Sequence, residues 1–116
     1  MKTAINTFIF FISLCGFATA AYSEQGNTYQ ADAISAGKLA EAEQGLLAVL
    51  GKDPNDPYAL LNLAYVYQKS GDAAKAQQVY QRILKLKENP YAELATGKPE
   101  PVKSIARRGI AQAEAE

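Results

Sequence analysis

The chain has 116 residues, in which 12 Lys and Arg balance 12 Asp and Glu, with no histidine and one cysteine. A near-neutral chain lacks the basic footprint of a general nucleic-acid binder. Without histidine, and with its one cysteine inside a leader-like segment, it has no Ser-His or Cys-His nucleophile system and none of the common zinc sites.

The first twenty residues read as an address. Lys2 supplies a positive start, residues 5–17 are apolar apart from Asn6, Thr7 and Ser13, and Ala18-Thr19-Ala20 is a small-residue cleavage site. The apolar run is shorter than the roughly 20 residues needed to span a bilayer. A signal peptide over residues 1–20, cleaved after Ala20, is therefore expected, with the product exported to the periplasm. Cys15 sits where a lipidated cysteine could stand, but Leu14 before it is larger than that processing favours. Removing Lys2 from the twelve basic residues leaves eleven against twelve acidic ones, and no cysteine. The product has no disulfide available, so packing alone must hold it. A chain of this size buries only about 60% of its unfolded surface, enough for one small domain.

Residues 28–36 predict a short helix, with Tyr29, Ala33 and Ala36 at helical spacing and Gly37 ending it. A second helix is predicted over residues 39–50, carrying Leu39, Ala42, Leu46, Val49 and Leu50 along one side, and Gly51 closes it. Asp53 to Asp56 is a turn by composition, and Asp56-Pro57 is a start signal, a cap followed by proline at the first helical position. The helix from Pro57 to about Ser70 bears two apolar stripes. Leu60, Leu63, Ala64 and Tyr67 form one; Tyr58, Leu61 and Tyr65 form the other. Only Asn62 is polar before Gln68, so the helix is buried on most sides or lines a groove that something else fills.

Gly71 breaks the chain and Asp72 caps a helix from Ala73 to about Lys87, whose inward side is Ala76, Val79, Tyr80, Ile83 and Leu84. Lys75, Arg82, Lys85 and Lys87 crowd its outer side. Cations near a helix C-terminus suit the dipole by about 0.3–1 kcal/mol each, and that account is favoured over a phosphate or lipid site. Residues 91–100 read as a connector with at most one turn near Tyr91, since Asn89 to Glu100 carries two prolines and a glycine. A last amphipathic helix, residues 101–116, sets Val102, Ile105, Ala106, Gly109, Ile110 and Ala113 inward and Lys103, Arg107 and Arg108 outward as a terminal cap.

Moved back by thirty-four residues, the pattern of the third and fourth helices partly recurs. Gly71 falls on Gly37, Ala76 on Ala42, Tyr80 on Leu46 and Ile83 on Val49. These residues resemble the tetratricopeptide repeat (TPR) family, whose unit is a 34-residue helix–turn–helix. Leu60, Leu63, Ala64, Tyr67, Gly71, Asp72, Ala76, Tyr80 and Ile83 stand at the family's packing and turn positions in a second copy, residues 57–90. The first copy, residues 23–56, matches through Gly37, Ala42, Leu46, Val49 and Pro54, but poorly in its first helix, where Gly26, Tyr29, Gln30 and Ala33 occupy the positions. The expected fold is all-α, about two such hairpins and a capping helix. Ala42 and Ala76 must be small because the helices of each hairpin approach most closely there. Two copies and a cap fall at or below the usual three-unit minimum, so marginal stability or association with another chain is expected.

No catalytic constellation is visible, no cofactor is implied, and a small-molecule substrate is not expected. Asp53 and Asp56 read as turn and cap, and Glu41 and Glu43 point different ways on one helix. The resemblance implies a binding module whose first helices line a concave face. Here that face is built from Tyr58, Leu61, Tyr65, Gln68 and Lys69, helped by Tyr29 and Ala33, and is set to take a peptide or protein segment of the cell envelope. The alternative is that Tyr58 and Tyr65 pack against the first hairpin or the terminal cap. The Lys and Asn clamp by which some relatives hold a peptide carboxylate is not supported, because Leu61 and Tyr65 occupy its positions. A self-associating scaffold and a lipid-anchored accessory factor of pilus, secretion or outer-membrane assembly are the other readings.

Overall fold

The computed structural model describes residues 29–93 and 98–115. The expected leader, its cleavage site and Cys15 lie outside those residues, as do Thr28 and the start of the first copy. Five helices and a two-stranded ribbon follow in chain order: α1 Ala31–Ser35, α2 Leu39–Lys52, α3 Pro57–Lys69, α4 Ala73–Leu84, β1 Tyr91–Glu93, β2 Pro99–Pro101 and α5 Val102–Ala115. The helices stack in sequence order, α2 on α3, α3 on α4 and α4 on α5. The core runs between these layers, and Ala42 and Ala76 are both fully buried in it. Methyl-sized side chains there let neighbouring backbones come close, the role their spacing predicts.

Local chemistry sets the helix ends. The Asp56 carboxylate accepts from the Tyr58 and Ala59 amides at 3.0 and 3.2 Å, with Pro57 at the first helical position. Gly71 sits at φ +88°, a conformation open to glycine without a Cβ clash, and Asp72 caps α4 through the Lys75 amide. Three boundaries differ from expectation. Gln30 adopts φ 62°, so α1 starts only at Ala31. Gly51 stays helical and α2 runs on to Lys52; the chain leaves at Asp53, extended at φ −140°, because Pro54 disfavours the helical region for the residue before it. Helix α4 ends at Leu84 instead of near Lys87. Its last carbonyls, Arg82 and Ile83, are taken by the Lys85 and Leu86 amides in tighter i→i−3 bonds, and the Lys103 ammonium donates to the Leu86 carbonyl.

The connector is the clearest departure. Residues 91–93 and 99–101 pair as an antiparallel ribbon with Tyr91 opposite Pro101, Ala92 opposite Glu100 and Glu93 opposite Pro99. Its cause is proline: Lys98 and Glu100 each precede one and are driven to extended backbone. Proline has no N–H, so a mutual N–H···O pair in this register is possible only between Ala92 and Glu100. The outer edge of β2 therefore offers no proline donor to a further strand, which blunts it. Ala92 is fully buried. The ribbon also launches α5, whose first amides find Pro90 O (from Val102, 2.8 Å) and Asn89 Oδ1 (from Lys103, 3.0 Å).

Candidate interaction face

Helix α3 carries the residues expected on an open groove, and packing divides them. Leu61 and Tyr65 are 1% and 6% exposed. With α2, α4 and α5 all packed against α3, most of its circumference is covered, and this stripe sinks into the core. Ala33 of α1 is buried as well. Tyr58 and Gln68 are half-buried, and Lys69 is exposed. The Gln68 amide oxygen accepts from the Tyr80 hydroxyl at 3.0 Å, so Gln68 also ties α3 to α4.

At the N-terminal end of α3 a polar and aromatic cluster takes shape. The rings of Tyr29 and Tyr58 meet edge to face, centroids 5.7 Å apart and planes at 64°. The Tyr29 hydroxyl donates to Asp56 Oδ2 at 2.9 Å, while Oδ1 of the same carboxylate caps α3. The Tyr58 hydroxyl donates to the Tyr91 carbonyl at 3.1 Å, which seats β1 beside α3. Tyr91 itself is 63% exposed, and Leu47 on α2 is the other exposed large hydrophobic side chain among the described residues. Burial pushes both the Tyr29 and Tyr58 phenols above their ordinary value of 10.0. For Tyr29 the hydrogen bond to Asp56 adds to the rise; for Tyr58 the negative charge of Asp56 does.

Beneath the cluster, Asn62 is fully buried, and its side-chain N–H donates to the Tyr29 carbonyl at 3.0 Å. Residue-by-residue reading missed this tie between α3 and the segment before α1. The signal was there: one amide in an apolar stretch, which when buried must find a partner. Tyr91 was missed because nothing local said that the connector would fold back. Among the described residues no three His, Cys, Asp or Glu side chains gather as metal ligands, and no helix is long and apolar enough to cross a membrane.

The family model for the tetratricopeptide repeat matches residues 33–98, more than half of the chain. No curated protein and no solved structure matches it.

Proposed function

Because the chain belongs to the tetratricopeptide repeat family, whose members are in general protein-interaction modules, we propose that it is an exported, non-enzymatic adaptor of the bacterial cell envelope. It takes a peptide or protein segment on the accessible part of its α3 side. Tyr58 and Lys69 supply that surface together with Tyr29 and Tyr91, and Leu61 and Tyr65 support it from below. The observation that carries the reading is the aromatic group at one end of α3: a fixed Tyr29–Tyr58 pair, with the Tyr58 hydroxyl bonded to the backbone of Tyr91, a residue that is 63% exposed. Tyrosines held this way offer broad, stiff contact area at low entropic cost, as interface anchors do.

The test uses Tyr91→Ala, because Tyr91 meets Tyr58 through its backbone carbonyl, which the substitution keeps. The variant should melt like the wild type and lose partner capture from envelope extracts; undiminished capture refutes the face. Export is tested separately by mass spectrometry of the chain recovered from the periplasmic fraction, expected to begin at Ala21. A chain carrying lipid on Cys15 rejects the soluble form of the proposal. A self-associating scaffold is the second reading, supported by Leu47, 46% exposed on α2. Light scattering on wild type and Leu47→Glu decides it, since a strict monomer in both removes it.

A further inference from the structure

A recess of about 740 Å³ opens between the loop that joins α2 to α3 and the C-terminal end of α4. Pro57 and Leu86 supply apolar wall, and Arg82, Lys85 and Lys87 bring three cations to it. Its acidic members are Asp53 and Glu88, so the lining carries a net charge of +1, three cations less two carboxylates. Asp53 turns one oxygen to the Asn55 amide at 3.2 Å. The Arg82 guanidinium reaches across and donates to the Pro54 carbonyl at 2.8 Å, which fixes the fork and uses one of its five N–H donors. Lys75 pairs with Asp72 and Arg108 with Glu100, while among the described residues no carboxylate forms an ion pair with Arg82, Lys85 or Lys87. A helix-dipole role asks only that cations lie near the last turn. It does not ask that three such residues line one concavity, with a guanidinium bonded across to the facing loop.

We propose that this recess is a second docking site, which takes an acidic segment of the protein partner. Spaced carboxylates fit it better than a compact phosphate. Asp53 and Glu88 interrupt the positive lining and oppose a dense double charge, while the apolar wall accepts the methylene stems of Glu side chains. The exported product, with eleven basic against twelve acidic side chains, has no long-range field that attracts anions, which leaves short-range, paired contacts as the means of recognition. The inference rests on the reading of the chain as a protein-binding module but uses none of the aromatic residues.

Hexaglutamate serves as the probe, titrated into the isotope-labelled chain and followed by amide chemical shifts at low and at physiological salt. Saturable shifts confined to residues 53–57 and 82–88, weaker at the higher salt, are expected. The double variant Lys85→Gln/Lys87→Gln changes two exposed side chains and leaves the Arg82–Pro54 contact in place. It should bind about tenfold more weakly, the usual worth of a hydrogen bond to a charged group. Arg107→Gln/Arg108→Gln and Tyr91→Ala should bind as the wild type does; loss with Tyr91→Ala alone would tie the probe to the aromatic face and reject a separate site. Absence of saturation, or equal loss with the Arg107/Arg108 variant, overturns the site. Saturation of the same amides by inorganic phosphate at equal concentration overturns the choice of carboxylates.

Discussion

Gly109→Ala places a methyl group where there is no room. A Cβ built at Gly109 lies 2.3 Å from Cζ of Tyr80 and 2.6 and 2.7 Å from the two neighbouring ring carbons. The ring cannot step aside freely, since Tyr80 is 4% exposed and its hydroxyl is tied to Gln68. Gly109 is not among the positive-φ glycines, so the backbone accepts alanine and the cost is steric. Overpacking costs about 1–3 kcal/mol, and moving the ring off Gln68 adds about 1 kcal/mol. Replacing glycine inside a helix returns about 1 kcal/mol. The net is a loss of about 1–3 kcal/mol, and at roughly 4–8 °C per kcal/mol a melting point lower by about 10 °C is expected by circular dichroism. Gly45→Ala is the control. The atoms nearest its Cβ belong to the half-buried Gln30 side chain, 2.3 Å from Cδ and Nε2 and 2.9 Å from Cγ, and a flexible chain end shifts at less cost than a packed ring. That variant should melt at or above the wild type. Pairing Gly109→Ala with Tyr80→Leu should cost less than the sum of the single changes, because the clash is gone. A Gly109→Ala protein as stable as wild type, or additive behaviour in the double variant, refutes the close α4–α5 approach.

Asn62→Leu should lower stability by about 1–3 kcal/mol by leaving the partly buried Tyr29 carbonyl without this donor, read as a lower urea midpoint with unchanged slope. Asn89→Ala removes the side chain that meets the Lys103 amide; a loss of about 1 kcal/mol is expected, with faster amide exchange in the first turn of α5. Alkaline pH should unfold the chain early. Tyr29, Tyr58 and Tyr67 all have phenols raised above 10.0 in the fold, first by burial, so their contribution is intact below pH 10.0 and lost as pH rises through the folded values. Tyr29→Phe should flatten that loss, measured by melts across pH alongside tyrosinate absorbance.

The sequence by itself determined what depends on neighbours along the chain. Asp56-Pro57 and Gly71-Asp72 settle their helix ends through groups within three residues of one another, and the small-residue register of Ala42 and Ala76 marks the crossings because closeness of backbones admits nothing larger. Tertiary structure alone decided which side of α3 stays open. That helix is apolar almost all round, and periodicity states that two stripes exist without stating what covers each. Leu61 and Tyr65 went under because α2, α4 and α5 all pack against α3. The ribbon depends likewise on a pairing between Tyr91 and Pro101, and the Asn62–Tyr29 tie spans 33 residues. Contacts of that separation gain their energy only once the intervening loop has closed, so no local pattern announces them.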